Sequence, residues 1–162
     1  MNDAVRQSED APLKPRPVMQ WSVIAFDAFL LLVQVLLLIG DAEAILHFAP
    51  WRAQGFDNPP LTFRWLMAAV DAFIAGAVVP GGILLGNSNP AAARFQRLVA
   101  LGAFIRLISM IGLGMLPTDG GIDFGYIFLV PIELALWVAA LACSCAVGRW
   151  TGKANSRAAQ AS

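Results

Sequence analysis

The chain has 162 residues and a formal net charge of zero, with 58% hydrophobic and only 14% charged residues. Its mean hydropathy is +0.66. A soluble domain carries about 25% charged residues, so this composition excludes an ordinary soluble globular protein and indicates a membrane protein. Because Lys and Arg only balance Asp and Glu, the chain lacks the basic field that binds nucleic acid, and we expect no nucleic-acid partner.

Four long apolar runs follow one another along the chain, and each contains a single charged residue. Each run is long enough to cross roughly 30 Å of hydrocarbon at about 1.5 Å per residue. Backbone polar groups in lipid must be satisfied within the segment, which requires helices. The sequence therefore predicts an all-α polytopic membrane protein with four transmembrane helices in a bundle, residues 21–147. With their flanking residues, the runs predict helices over 21–40, 63–85, 96–116 and 124–147.

The two ends of the chain are polar. Residues 1–20 contain three prolines and both signs of charge, and residues 148–162 end in a stretch rich in Ala, Ser and Gln. Such segments bury too little apolar surface to offset the entropy of ordering, so we expect a disordered tail at 1–20 and a flexible one at 148–162. Ala42-Glu43-Ala44 resembles a signal-peptide cleavage site, but the first apolar run exceeds the usual length of about 7–15 residues, which disfavours cleavage.

Basic residues are distributed unevenly between the two sides of the predicted membrane. Eight lie in the two tails and in the connection between the second and third helices, whereas Arg52 and Arg64 lie on the other side. Short cytoplasmic segments carry the excess of Lys and Arg. The sequence therefore predicts a multi-pass protein of a bacterial inner membrane with both termini in the cytoplasm.

The connection between the first two helices, residues 41–62, is the longest. We expect a short amphipathic turn there, through Ile45 and Phe48, that lies in the headgroup region. His47 and Arg64 are the candidate polar residues on this outer side. His47 is the only histidine, which excludes a multi-histidine metal site or a bis-histidine haem within one chain.

The four charges within the apolar runs are the most informative residues: Asp27, Asp71, Arg106 and Glu133. A charge at the centre of a bilayer costs about 2.5–3.5 kcal/mol on insertion scales, so each needs a partner, a proton or water. Three acids against one base leave two negative charges unmatched, and we expect at least one of Asp27 and Asp71 to be neutral.

Positions along the runs indicate which of these charges meet. Arg106 is predicted one residue to the inner side of its helix centre, and Glu133 two to three residues outward of its own. This places them about 5 Å apart in depth, within reach of a guanidinium. Asp71 is a second candidate partner at about 7–8 Å, and Asp27 lies further inward. We therefore predict a buried polar cluster around an ion pair between Arg106 and Glu133, with Asp71 and Asp27 as its other members.

Small residues accompany the charges. Gly102 and Ala103 precede Arg106 by about one helical turn, and Ala72 and Gly76 are four residues apart on the second helix. Such small-residue ridges suit close packing between membrane helices or with a partner. Pro80-Gly81-Gly82 predicts a kink or an early end of the second helix.

Enzyme signatures are absent from the sequence: it contains no HExxH, GxSxG, CxxC or Walker pattern,. It therefore predicts no catalytic residue, no metal and no cofactor.

Four short motifs stand out between residues 58 and 134. They are Arg106-Leu107-Ile108-Ser109, the Gly- and Pro-containing stretch 112–117, Pro131-Ile132-Glu133-Leu134, and the Asn- and Pro-containing stretch 58–64 that ends in an arginine. In these motifs the chain resembles, over roughly residues 20–147, a bacterial family of four-helix integral membrane proteins grouped only as a domain of unknown function. The resemblance implies the fold and the Arg/Glu pair and no activity; Asp27 and Asp71 have no place in its pattern.

Three functional hypotheses remain open at this point. The first is a non-enzymatic accessory or hydrophobic-ligand-binding membrane protein that acts with a membrane-protein partner or as a homo-oligomer, its bundle held together by Arg106 and Glu133. The second is a proton-coupled transporter of a small solute that uses the intramembrane acids. The third is a membrane enzyme that modifies lipids or quinones with the acids as general acid–base groups.

Overall fold

The computed structural model describes residues 17–47, 61–114 and 124–161. These stretches contain four helices and no strand, which confirms the all-α prediction. The helices are α1 (Pro17–Leu46), α2 (Leu61–Gly86), α3 (Ala92–Gly114) and α4 (Phe124–Ala161).

All four helices are long and apolar enough to cross a membrane. Their outward surfaces are apolar as well: Leu32 and Leu36 of α1 are 58% and 60% exposed. An apolar exterior around a packed bundle suits lipid rather than water. The protein is therefore a multi-pass membrane protein.

Two helices are longer than the hydropathy pattern predicted. α1 begins at Pro17, so the expected start at residue 21 and the disordered tail are wrong over 17–20. It also passes through Asp41 to Leu46, so the expected end at Gly40 and the separate turn after it are wrong over these residues. α4 continues to Ala161 instead of ending at Val147, where a flexible tail was expected. Both extensions lie beyond the apolar runs, so hydropathy alone did not indicate where these helices end. Residues 1–16, 48–60 and 115–123, with the predictions that fall on them, lie outside the described residues.

Pro80 neither ends α2 nor shortens it, because the helix continues to Gly86. Proline removes one amide donor, and membrane helices tolerate it where neighbouring groups compensate. The glycine that follows has a packing role, since a Cβ atom at Gly81 would lie 3.1 Å from the Cβ of Phe95 on α3. The Pro-Gly pair therefore lets α2 and α3 approach closely.

A tight turn at residues 87–91 joins α2 to α3. The amides of Ser88 and Asn89 donate to the carbonyls of Leu85 and Leu84 at 2.9 and 2.8 Å, and Ser88 adopts a positive φ of 55°. This pattern closes a helix C-terminus. Asn89 then begins α3, because its Oδ1 accepts from the Ala91 amide at 2.9 Å, as an N-cap does. We call this the turn end of the bundle, and the opposite end, where α1 finishes and α2 begins, the distal end.

Helices that follow each other in sequence pack side by side, and two apolar clusters fill the space between them. The central cluster includes Leu30, Ile74, Val99 and Ala140, one from each helix. A second cluster at the turn end includes Val23, Leu85, Ala92 and Val147, again one from each helix. The polar residues described next interrupt this apolar core in two layers.

Candidate functional site: two polar layers inside the bundle

Arg106 of α3 lies at the centre of the larger polar layer. Its Nε donates to Glu133 Oε1 of α4 at 2.8 Å, and its Nη1 donates to Asp71 Oδ1 of α2. All three side chains are buried, with Asp71 fully enclosed. The predicted buried ion pair is confirmed, and Asp71 is a direct second partner. We call these three residues the arginine network.

The network lies in the distal half of the bundle. α3 runs from Ala92 to Gly114, so Arg106 falls beyond its midpoint, toward the distal end. The predicted position of Arg106, just to the inner side of the centre, is wrong because the hydropathy run omitted the first turn of the helix. Asp71 also lies on the distal side of the midpoint of α2. The charges meet because all are displaced toward the same end.

A further acid belongs to this neighbourhood. Asp41 of α1 interacts electrostatically with Arg106 and Arg64, and with Asp71. The sequence reasoning missed Asp41 because it placed this residue in a loop. Arg64 is half-buried near the start of α2. His47 lies at the end of α1, where the Glu43 carbonyl accepts a hydrogen bond from its Nδ1 at 2.9 Å.

Asp27 belongs to a separate layer nearer the turn end. Gln96 Nε2 of α3 donates to Asp27 Oδ2 at 2.6 Å, which joins α1 to α3. Both side chains are buried. Gly82 of α2 lies alongside, since a Cβ atom there would be 3.9 Å from Asp27 Oδ2. Grouping Asp27 with Arg106 was therefore wrong, and we call Asp27 and Gln96 the aspartate layer.

Gln96 has no counterpart in the sequence predictions. The predictions considered charged side chains alone, and Gln96 is an uncharged amide at the edge of an apolar run. Only the tertiary contact with Asp27 identifies it as part of a polar layer.

Several buried oxygens have no hydrogen-bond partner among the described residues. They are Asp27 Oδ1, Gln34 Oε1, Asp71 Oδ2 and Gln96 Oε1. All four are acceptors, and buried acceptors in native proteins are almost always satisfied by a donor. The two layers therefore have capacity to take up protons, water or a ligand that carries hydrogen-bond donors.

The arginine network contains more carboxylates than cations. With all three groups ionised, two carboxylates face one guanidinium, and one negative charge is left over. Arginine stays protonated in proteins, so a single added proton on a carboxyl neutralises the network. Across the described residues, no group of three or more His, Cys, Asp or Glu side chains is arranged to hold a metal ion. Proton binding is the chemistry that this arrangement favours.

Comparison with protein-family models, with curated proteins and with solved structures finds no match for this chain.

Proposed function

We propose that the chain couples proton binding at the arginine network to the movement of a small solute across a bacterial inner membrane, with both termini in the cytoplasm. The observation that carries the proposal is the pairing of Arg106 with two buried carboxylates. Intramembrane ionisable residues of this kind mark ion and proton pathways. The excess of basic residues near both ends of the chain, together with Arg94 and Arg97 at the start of α3, supports the orientation,.

The proposed mechanism is a change of partners around Arg106. When a proton binds Asp71, its attraction to the guanidinium falls, while Glu133 keeps its hydrogen bond to Arg106 Nε. Because the two carboxyls lie on α2 and α4, this change alters the forces between α2 and the α3–α4 pair. Asp41 offers the guanidinium a further partner within electrostatic range. A ligand that binds one arrangement better than the other shifts the population between them.

The surplus of acid favours a cationic solute that exchanges with the proton. The test uses vesicles containing the purified protein and an enclosed pH-sensitive dye, with tetramethylammonium or tetraethylammonium added outside. We expect the internal pH to rise with the wild type and to stay constant with Asp71→Asn. Ser144→Ala, a buried polar position on α4 outside both layers, is the matched control and should retain the response.

Two results would refute the proposal. One is a wild-type protein that gives no pH change with either ion. The other is an Asp71→Asn variant that responds at the wild-type rate.

A second candidate is the accessory or hydrophobic-ligand-binding role, with a membrane-protein partner or a second copy. One observation favours it: Ala72 and Gly76 of the predicted small-residue ridge are exposed on α2, and a Cβ atom at Gly76 would meet nothing within 4 Å. Small residues on a lipid-facing surface allow another helix to approach. Native mass spectrometry of the wild type and Gly76→Leu tests it: this candidate requires an assembly that the variant loses.

The likeness to the bacterial four-helix family of unknown function forms part of the proposal. It depends on Arg106 and Glu133, whose pairing in the structure supports a common fold and a common buried charge pair. It adds no activity to either candidate.

A further inference from the structure

One face of α1 carries polar side chains at intervals of seven residues: Gln20, Asp27, Gln34 and Asp41. Seven residues make nearly two turns of an α-helix, so residues at this spacing share one face. From Gln20 to Asp41 the helix rises about 31 Å at about 1.5 Å per residue. This equals the thickness of the hydrocarbon core. We call these four residues the polar file.

The two ends of the polar file are half-buried against the bundle. At the turn end, Gln20 Nε2 donates to the Leu85 carbonyl at 2.7 Å and to the Gly86 carbonyl at 3.1 Å. At the distal end, Asp41 interacts electrostatically with Arg106. The file therefore runs from the α2–α3 turn to Asp41, which lies within electrostatic range of the arginine network.

The middle of the polar file is the most deeply buried part. Asp27 is 2% exposed and Gln34 is 1% exposed. Asp27 Oδ1 and Gln34 Oε1 have no hydrogen-bond partner among the described residues, and neither has Gln96 Oε1 beside Asp27. A buried amide oxygen that accepts no hydrogen bond is costly, so Gln34 Oε1 needs a donor. Water is the donor that fits a polar file between two acids.

We infer that the polar file is a water-lined route along which protons pass between the turn end and the arginine network, with Asp27 and Asp71 as the proton-binding groups. The inference rests on the proposed function, because it supplies the route to the acid that does the coupling. Each step moves only a proton. In one step the proton moves from a carboxyl oxygen of Asp27 to a water oxygen. In a later step a hydronium further along the file transfers a proton to the Asp71 carboxylate.

The charged and titratable surroundings of the two acids differ. Asp27 is faced by Gln96 from α3, and Cys143 of α4 lies within its electrostatic range. From α2 it is faced by the uncharged Gly82. The surroundings of Asp71 are charged: Arg106, Glu133 and Asp41, from the other three helices. Asp27 can therefore exchange a proton with water, whereas protonation of Asp71 changes an ion-pair network.

The first test asks whether water reaches Gln34. In vesicles containing protein labelled with ¹³C at glutamine and leucine, magnetisation transfer from water to side chains is measured by solid-state NMR. We expect Gln34 to build up signal nearly as fast as Gln20 at the membrane edge. Leu36, which faces lipid at a similar depth, is the control and should be several-fold slower. The Gln34 resonance is assigned by its loss in Gln34→Leu.

The second test asks whether the route carries protons. In the dye-loaded vesicles, we expect Gln34→Leu to slow the pH response to the quaternary ammonium ions at least tenfold. Gln34→Glu, which keeps a polar group in the file, should restore most of the rate, and Ser144→Ala should not change it. Recovery by Gln34→Glu separates a blocked route from a protein that has failed to fold.

The outcomes distinguish the two proposals. The route is overturned if water does not reach Gln34, or if the Gln34→Leu variant responds at the wild-type rate. In either case, loss of the pH response in Asp71→Asn still supports the proposed function. A response that survives Asp71→Asn refutes the proposed function. A wild type with a hydrated Gln34 and no pH response overturns both.

Discussion

The arginine network and the aspartate layer stabilise buried carboxyl groups in different ways. Both bury carboxyl groups inside a membrane bundle, and both depend on a donor from α3. In the arginine network, charge meets charge across three helices. In the aspartate layer, one carboxyl receives a hydrogen bond from a neutral amide. A guanidinium cannot lose its proton, so the first layer needs its acids, whereas a carboxyl facing an amide can be neutral at little cost.

The largest effect is expected from removing the one cation of the arginine network. Arg106→Met leaves two carboxyls buried without their donor, and we expect it to lower the free energy of unfolding by about 3–5 kcal/mol. Equilibrium unfolding in mixed detergent micelles measures the change.

Neutralising the partners should reverse that loss. In Arg106→Met/Glu133→Gln, and more fully with Asp71→Asn added, most of the lost stability should return, because no uncompensated charge remains. If the multiple variants are as unstable as Arg106→Met alone, the network does not hold the bundle together.

The next effect tests the contact between α2 and α3, the two helices that carry Asp71 and Arg106 of the arginine network. A Cβ atom at Gly102 would lie 2.6 Å from Ile74 Cγ1 and 3.2 Å from Phe73 Cδ1. We expect Gly102→Ala to lower the free energy of unfolding by about 1–3 kcal/mol through overpacking. Gly76→Ala is the matched control, since nothing lies within 4 Å of that position, and it should leave stability unchanged or raise it by up to about 1 kcal/mol. Equal effects in the two variants would contradict the close approach at Gly102.

Deleting the acid of the aspartate layer should have a comparable or smaller effect. Asp27→Leu removes the acceptor for Gln96 Nε2, and a buried donor without a partner costs about 1–3 kcal/mol. Adding Gln96→Leu should recover part of this loss, because the unpaired amide is then gone. A double variant less stable than either single variant would show that the two side chains do not act as a pair.

The smallest effect separates the two layers most clearly. Asp27→Asn keeps an oxygen acceptor for Gln96 and removes only the negative charge, so we expect a change within about 1 kcal/mol. Asp71→Asn removes a charge that Arg106 uses and should cost about 1.5–3 kcal/mol, as hydrogen bonds to charged groups do. Equilibrium unfolding of both variants under the same condition compares their losses of unfolding free energy. Equal losses would mean that the charge matters equally in the two layers.

Hydropathy and the placement of single charges predicted much of this architecture. The apolar runs correctly indicated four membrane helices, and the similar depth of Arg106 and Glu133 correctly indicated their ion pair. The ends of α1 and α4 were missed because both helices continue past the point where hydropathy falls. Gln34 and Gln96 were missed because the sequence predictions considered only charged side chains as buried polar groups. The seven-residue spacing from Gln20 to Asp41 was present in the sequence, but the predicted end at Gly40 concealed it.

The order and length of apolar residues along the chain were enough to establish a membrane-spanning helical protein, because the cost of exposing backbone and charge to lipid is a local property of each segment. The direct contact of Arg106 with Asp71 in addition to Glu133, and the pairing of Asp27 with Gln96, were decided by the folded bundle. Those contacts join residues that are far apart in sequence. The rotation and depth of each helix depend on packing against its neighbours, for example where Ile74 lies against Gly102.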